Sequence, residues 1–243
     1  MRSFAKVLGL SLLSVALLAG SAQARTVNGC KIKAGTNCHH KNLNGKSLRG
    51  ANLREAIFHH VKLRGADLRK ADLRGADLRE TDLRGADLRG ANLKGAELHY
   101  YTAPKKKGAR TSQTPACYPN CQGANLAGAN LGGANLYNTI LNNANLSGAF
   151  LNWADLSFSE MDGVNLTDAS LWSANLTYVT LWQANLTGAE LNYANLTGAN
   201  LFEADLTGAN LYEADLTGAG LNYATGCSTV TPAGILNGLG CAN

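Results

Sequence analysis

Residues Asp67–Leu93 read DLRKADLRGADLRETDLRGADLRGANL, and this stretch decides the fold. Its leucines recur at every fifth position, at Leu68, Leu73, Leu78, Leu83, Leu88 and Leu93. An alanine stands two residues before each following leucine, except where Thr81 replaces it. A period of five matches neither the helical period of about 3.6 residues nor the alternation of a strand. A fixed short period over a long span instead predicts a solenoid, in which stacked coils share one apolar column.

The five-residue unit extends well beyond this stretch and divides the chain into two blocks. Twelve units run through 41–100 and twenty through 124–223, and an insert at 101–123 separates them. The step from Leu98 to Leu126 is not a whole number of units. We therefore expect the insert to shift the register as well as interrupt it.

Two flanking segments are predicted to cap the stack of coils. Backbone groups at the ends of such a stack have no neighbouring coil to pair with, so both ends need to be covered. The segments 25–40 and 224–243 are the N-terminal and C-terminal candidates, and each contains a pair of cysteines. Thr231-Pro232 predicts the start of a short helix within the second cap.

The repeated units have a recognisable signature. Ala76-Asp77-Leu78-Arg79-Glu80, Ala86-Asp87-Leu88-Arg89-Gly90 and the opening Ala199-Asn200-Leu201 resemble the A-(D/N)-L-x-x unit of pentapeptide-repeat proteins. The resemblance implies an all-β fold, a right-handed quadrilateral parallel β-helix with four units per coil and one unit per side. It also implies that the central leucine and the preceding alanine point inward and that the other three positions face solvent. About eight coils are then expected, three in the first block and five in the second.

Residues 1–24 predict export from the cytoplasm. A basic start with Arg2 and Lys6 precedes the apolar run Val7–Leu18, and Ala22-Gln23-Ala24 forms a small-x-small cleavage site. These are the three parts of a secretory signal peptide cleaved after Ala24. The apolar run is too short to span a bilayer, and no longer run follows it. We therefore expect a periplasmic or secreted protein that does not span a membrane.

Six cysteines agree with export. They form three pairs that are close in sequence: Cys30 with Cys38, Cys117 with Cys121, and Cys227 with Cys241. An even number of cysteines in an exported chain favours disulfides, and we predict this local pairing among the 15 connectivities that six cysteines allow. Zinc is the alternative for the C-x3-C of the second pair, although no histidine is near it in sequence.

Charge is distributed unequally along the predicted rod. The first block carries a net charge of +5, whereas the second has nine acidic residues and neither lysine nor arginine. All eight arginines of the first block follow a central leucine, and six of them predict a basic collar, at Arg64, Arg69, Arg74, Arg79, Arg84 and Arg89. The collar would bind an anionic polymer or an acidic partner. The simpler interpretation is a solvated surface of Asp–Arg pairs that contribute little. The opposite charges of the two blocks also predict self-association.

Aromatic residues recur on one predicted side of the second block. We predict a recognition surface there, formed by Trp153, Trp172, Tyr193 and Tyr212 and interleaved with asparagines. Rings beside amides suit a sugar chain or a partner protein, and Trp and Tyr often dominate binding energy. The alternative is that the rings only cover neighbouring side chains. Because they lie outside the leucine column, we expect their truncation to leave the melting temperature near that of the parent. Two other sides are predicted to carry columns of Thr and Ser.

Catalytic and cofactor chemistry is not predicted. We find no nucleophile–base pair and no phosphate-binding loop, and solvent-facing carboxylates of a regular repeat have nothing local to shift their pKa. His39 and His40 precede His59 and His60 by four units, so these histidines could stack and bind a transition metal. Histidine is tolerated at any outward position, however, and we assign no metal and no cofactor.

The sequence therefore predicts a non-enzymatic exported binding or scaffold protein. Its partner would be a protein or a cell-envelope glycan, and no nucleic acid is expected. One alternative is a DNA mimic that inhibits a nucleic-acid enzyme such as gyrase, since some proteins with these repeats do so. The export signal and the basic first block depart from that pattern. A surface that binds ice through its Thr columns, or metal through its histidines, is the other alternative.

Overall fold

The structure, a computed structural model, describes residues 25–99, 120–231 and 234–236. Continuous strands occur only near the two ends of this part of the chain. Strands β1 (Thr26–Val27) and β2 (Cys30–Lys31) form one antiparallel hairpin, and β3 (Thr229–Thr231) and β4 (Gly234–Leu236) form another. No helix is present among the described residues, so none of them belongs to a helix that could cross a membrane.

Between the hairpins the chain winds as a right-handed quadrilateral β-helix. Each side contributes a single parallel bridge at the residue before the central leucine, as in the series Asn125, Asn145, Asn165 and Asn185. Successive partners in this series are separated by four units, so one coil has four sides. Because the chain turns after every bridge, the sides are too short to be continuous strands.

The backbone hydrogen bonds of one unit show how the coil is held. The N–H of Leu126 donates to the carbonyl of Asn145 in the next coil over 2.7 Å. The N–H of Ala129 donates to the carbonyl of Leu126 over 2.9 Å and closes the corner. At this corner Gly128 has a φ of +62°, a left-handed conformation that glycine adopts without steric cost. The unit therefore has one turn within the coil and ladder bonds between coils.

The core is a column of central side chains along the axis of the helix. From Leu43 to Leu211 every described central residue is at most 2% exposed, including Phe58 and Met161. The alanines two positions earlier are also buried, and their small size lets the backbone pass close to the core. Each buried leucine contributes on the order of 1.5–3 kcal/mol of transfer free energy. No single unit can gain this alone, because its leucine is buried only by the coils on either side.

The coil continues in phase across the insert. Glu97 bridges Asn135, so this one turn of the helix contains more residues than the regular turns. The unit after Leu98 is centred on Cys121, whose backbone N–H donates to Ile140 of the next coil. The insert therefore shifts the numbering but not the angular position of the following sides. Residues 101–119 of the predicted insert lie outside the described residues, and 120–123 belong to the repeat.

The ends of the stack differ in part from expectation. At the N-terminus the repeat begins one unit earlier than predicted, with Cys38 as a buried central residue and Asn37 bridged to Ile57. At the C-terminus the expected helix at Thr231-Pro232 is wrong. Thr229–Thr231 instead pairs with Gly234–Leu236 as a hairpin, in keeping with its run of three β-branched residues.

Candidate binding surfaces

Outward side chains form columns because residues four units apart occupy the same place in successive coils. Two sides carry the clusters described below. The ladder side contains the central residues Leu53, Leu73, Leu93, Leu131, Leu151, Leu171, Leu191 and Leu211. The histidine side contains the central residues Cys38, Phe58, Leu78, Leu98, Leu136, Leu156, Leu176 and Leu196. Both assignments follow from the bridges between coils.

The predicted recognition surface is brought together on the ladder side. The ring centroids of Trp153 and Trp172 are 4.9 Å apart, those of Trp172 and Tyr193 5.9 Å, and those of Tyr193 and Tyr212 5.8 Å. In chain order these four side chains are 62%, 39%, 50% and 48% exposed. They form one continuous ring ladder over four coils.

The rings of this ladder pack edge to face. Successive ring planes are inclined by 89°, 80° and 84°. The cause is an alternation in position: Trp153 and Tyr193 lie two residues after their leucine, whereas Trp172 and Tyr212 lie one residue after it. Edge-to-face pairs contribute about 0.5–1.5 kcal/mol each beyond their buried area.

This packing corrects the expectation that truncating the rings would leave stability unchanged. Replacing Trp172 and Tyr193 together by alanine removes all three ring contacts of the ladder. The combined loss is on the order of 2–4 kcal/mol. A test of binding therefore needs a ring with fewer neighbours. Within the described part of the chain Trp153 has a single ring contact, at the end of the ladder.

The asparagines beside the rings are partly used by the fold. The Oδ1 of Asn152 accepts bonds from the Trp172 backbone N–H at 3.0 Å and from the Ser170 hydroxyl at 2.7 Å. The Oδ1 of Asn210 accepts from the Tyr212 backbone N–H at 3.1 Å. Both amides are thus oriented through their oxygens, and the described bonds leave their NH2 groups as donors for a ligand.

A notch lies at the N-terminal end of the ladder. It has a volume of about 360 Å³. Its walls are Lys94, Asn130, Gly132, Gly133, Phe150, Asn152 and Trp153. The notch exists because Gly132 occupies a position that carries a side chain in both neighbouring coils, at Lys94 and Asn152, and Gly133 a position that Trp153 fills in the next coil. Sequence reasoning missed it, although Leu131-Gly132-Gly133 is the only unit with glycine at both positions.

A second set of rings lies on a side that was predicted to carry only Thr and Ser. Tyr137, Phe158 and Tyr178 stack along the histidine side, with centroid distances of 5.7 and 5.3 Å. Tyr178 lies over Gly198, where an added Cβ would clash with its ring. The prediction of separate Thr and aromatic sides was therefore wrong. On this side it followed Ser157 and Thr177 and overlooked Phe158 and Tyr178, which come one position later.

The arginines of the predicted collar are mostly paired within their own unit. In Arg69 the Nε and Nη2 atoms both donate to the carboxylate of Asp67 at 2.8 Å. The same fork recurs at Arg74, Arg79, Arg84 and Arg89, each with the aspartate two residues earlier. Arg64 differs, because Lys62 takes the place of that aspartate.

These forks are arranged around all four sides and do not form one cationic patch. They hold the pKa of Asp67 at about 2, chiefly through the side-chain bonds from Arg69. The expectation that nothing local shifts the pKa of these carboxylates was therefore wrong. The pKa values of Asp72, Asp82 and Asp87 are lowered for the same leading reason. Some basic residues have no aspartate in their own unit. Lys94 on the ladder side is one of them.

The cysteines follow the prediction only in part. The Cys30–Cys38 disulfide is confirmed. Cys227 is also disulfide-bonded, to a cysteine outside the described residues, where Cys117 and Cys241 both lie. The predicted Cys117–Cys121 pair is wrong, because Cys121 is a free thiol in the central column. It occupies the leucine position of the unit Asn120-Cys121-Gln122-Gly123, and burial raises its pKa to about 12.

The four histidines do stack, as their spacing of four units suggested. His40 and His60 have ring centroids 5.0 Å apart and planes inclined by 4°. The centroids of His39 and His59 are 5.2 Å apart. Glu80 follows in the next coil, with its carboxylate against both His59 and His60. Sequence reasoning missed this glutamate, although it continues the His40 and His60 column by one more coil.

Similarity to known proteins agrees with this architecture. The family model described as Pentapeptide repeats matches in eight copies, over residues 34–69, 66–99, 120–157, 165–201 and 194–225. Among curated proteins, no sequence matches this chain significantly.

Three solved structures illustrate the likeness. HetL from the cyanobacterium Nostoc, a protein involved in heterocyst differentiation regulation, is 33% identical with a TM-score of 0.35, over 84% of this chain and 92% of its own. QnrB1, a plasmid-mediated fluoroquinolone resistance protein, is 18% identical with a TM-score of 0.42, over 81% and 83%. Rfr23 from the cyanobacterium Cyanothece is 29% identical with a TM-score of 0.21, over 60% and 90%.

The matches of the family model cover more than half of the chain, and they follow the same units whose leucines form the buried column. This chain is a member of the pentapeptide-repeat family.

Proposed function

We propose that this protein is an exported, non-enzymatic binding protein whose ladder side takes an acidic glycan chain of the cell envelope. The observation that carries the proposal is the order of groups along this one straight side. The exposed ring ladder ends at Trp153, the notch follows, and Lys94 lies at the other wall of the notch. Rings suit the apolar faces of sugars, amides their hydroxyls, and a lysine their carboxylates.

The position of Lys94 favours an acidic glycan over a neutral one. Its unit has Asn92 where the arginine units have aspartate, and no ion pair joins Lys94 to a described residue. Arg54 continues the same column two coils earlier and likewise follows an asparagine, Asn52. The ladder side therefore combines rings and amides with two cations that lack the fork, Arg54 and Lys94, whereas Arg74 between them is paired with Asp72.

The ionisable groups support binding in preference to catalysis. Among the described residues, every aspartate with a shifted pKa has it lowered, by arginine forks or by threonine and backbone donors such as those at Asp205 and Asp215. A general acid at neutral pH needs the opposite shift. The thiol of Cys121 is buried, and its raised pKa removes it as a nucleophile.

Export is part of the proposal and rests on two observations. Residues 1–24 have the pattern of a cleaved signal peptide and lie outside the described residues. The Cys30–Cys38 disulfide at the N-terminal hairpin suits an oxidising compartment. Fractionation of cells that express the full chain, with amino-terminal sequencing of the product, tests this part: a cytosolic chain that keeps Met1 would contradict it.

The binding test compares two matched rings. Trp153 and Tyr178 are both exposed, both occupy a left-handed corner (φ +58° and +55°), and both end a ring stack. They lie on different sides. We expect Trp153→Ala to weaken binding of soluble acidic polysaccharide about 30-fold, which corresponds to about 2 kcal/mol, and Tyr178→Ala to leave binding unchanged.

A third variant fills the notch without touching a ring. Gly132 does not have a positive φ, and its nearest atom to an added Cβ is the Asn130 Oδ1 at 3.3 Å. Gly132→Leu should therefore fold and block the notch. Isothermal titration of all three variants against acidic and neutral polysaccharides decides the matter. Equal affinity of the parent, Trp153→Ala and Gly132→Leu would refute the ladder side as the site.

A further inference from the structure

The histidine side carries a compact group of nitrogen and oxygen atoms that the glycan site does not use. One ring nitrogen of His59, one ring nitrogen of His60 and a carboxylate oxygen of Glu80 all lie within 4.8 Å of one another. The Nδ1 of His60 is 3.0 Å from Oε2 of Glu80, and the Nε2 of His59 is 3.5 Å from Oε1. The three side chains are partly buried.

These separations fit a tetrahedral metal ion. Nitrogen and oxygen ligands lie about 2.0–2.2 Å from Zn²⁺, so two ligands of one tetrahedron are about 3.3–3.6 Å apart. The distance from His59 Nε2 to Oε1 of Glu80 lies within this range, and the distance from His60 Nδ1 to Oε2 is slightly shorter than it. Two imidazoles and one carboxylate are also a donor set that borderline divalent metals accept.

The atom that most needs a partner is the Nε2 of His59. It is buried, and no hydrogen bond to it exists among the described residues. The nearby oxygen of Glu80 is at 3.5 Å, which is long for a hydrogen bond. A buried polar atom without a partner lowers stability, whereas a metal ion between Nε2 and the carboxylate would satisfy both.

The repeat holds these groups in place before any ion arrives. His60 and Glu80 occupy the same left-handed corner in successive coils, with φ of 59° and 57°. The rings of His39 and His40 stack behind those of His59 and His60 and limit their rotation.

We propose that His59, His60 and Glu80 bind one divalent transition-metal ion of the Zn²⁺ class, with solvent at the remaining coordination position. The site is distinct from the ladder side, and its occupancy does not depend on the glycan proposal. It would join two adjacent coils near the N-terminal end of the rod, since His59 and His60 belong to one coil and Glu80 to the next.

The experiment uses the mature chain without an affinity tag and Zn²⁺ alone as the probe. Isothermal titration should show one strong site per chain, and Glu80→Gln and the double change His59→Ala with His60→Ala should each weaken it at least 10-fold. His99→Ala is the matched control, because His99 lies on the same side with its own carboxylate neighbour, Glu97. This control should keep the parental affinity.

Two further measurements distinguish a loss of metal binding from a loss of the fold. Circular dichroism must show the parental spectrum for each variant. Co²⁺ in place of Zn²⁺ should give the absorption of a four-coordinate site in the parent and in His99→Ala, but not in Glu80→Gln or in the double histidine variant. Absence of stoichiometric Zn²⁺ binding by the parent would overturn the proposal. Equal Zn²⁺ affinity of the parent and Glu80→Gln would overturn it as well.

Discussion

Replacing Leu176 by alanine tests whether the central column stabilises the rod as the structure implies. The side chain is fully buried (0% exposed) and stacks between Leu156 and Leu196. Removing its three outer carbons loses about 2.4 kcal/mol at roughly 0.8 kcal/mol per carbon. A cavity adds to this cost where the surroundings cannot collapse, and measured Leu→Ala losses reach about 5 kcal/mol.

The coil spacing places Leu176 toward the upper end of that range. Its backbone N–H donates to the carbonyl of Asn195 over 2.7 Å, and the N–H of Asn195 donates back to Ala174 over 2.9 Å. These bonds hold the two coils at a fixed distance, so the neighbouring leucines cannot move together to fill the space. We expect Leu176→Ala to lower the free energy of unfolding of the surrounding coils by about 3–5 kcal/mol.

Urea denaturation followed by far-UV circular dichroism measures this change, and amide exchange locates it. The loss should be confined to adjacent coils, since each coil of a solenoid contacts only its neighbours. Thr177→Ala is the control, because its hydroxyl bonds only Asn175 among the described residues and faces outward. It should cost less than about 1 kcal/mol. Equal effects of the two changes, or a loss below about 1 kcal/mol for Leu176→Ala, would refute the column as the source of stability.

Two more predictions concern ionisable groups and one cysteine. The folded pKa of Asp67 is about 2, below its ordinary value of 3.8, so its contribution to stability is present above about pH 4 and is lost as pH falls toward 2. Acid unfolding of the first coils should therefore move to higher pH for an arginine-fork variant such as Arg69→Ala, and an unchanged midpoint would contradict this. Cys121 should resist iodoacetamide in the native chain and react after unfolding, and Cys121→Leu should fold with equal or greater stability because leucine is the usual residue of that position. Rapid native labelling, or a mixed disulfide with Cys117 in a peptide map, would show that the thiol is not buried.

The sequence predicts the architecture well because the five-residue period determines which residues face the core and which residues share a side. The central position of each unit faces the axis. The place of Leu176 in the repeat therefore predicts that it is buried and that Leu156 and Leu196 are its neighbours in the adjacent coils. The same arithmetic predicts that Trp153, Trp172, Tyr193 and Tyr212 share a side. These features need only the period and the number of units per coil.

Other features depend on how side chains pack, and the period does not contain that information. The edge-to-face geometry of Trp153 and Trp172 follows from their different positions within the unit. The notch follows from the missing side chain at Gly132. Cys121 was paired with Cys117 because they are close in sequence, yet its place at the centre of a unit turns it inward. Closeness along the chain predicted a disulfide, whereas the central position in the unit predicts a buried thiol, and Cys121 is a buried thiol.

The bridge from Glu97 to Asn135 shows that the sides of the wall after the insert continue in turn from those before it. Length changes in such a wall are therefore of two kinds. A segment added at a corner can have any length, because the sides that follow keep their direction. One extra unit within the wall would instead rotate all later sides by a quarter turn and carry Trp153 away from Lys94. Four extra units would restore the direction and only move the two groups one coil further apart.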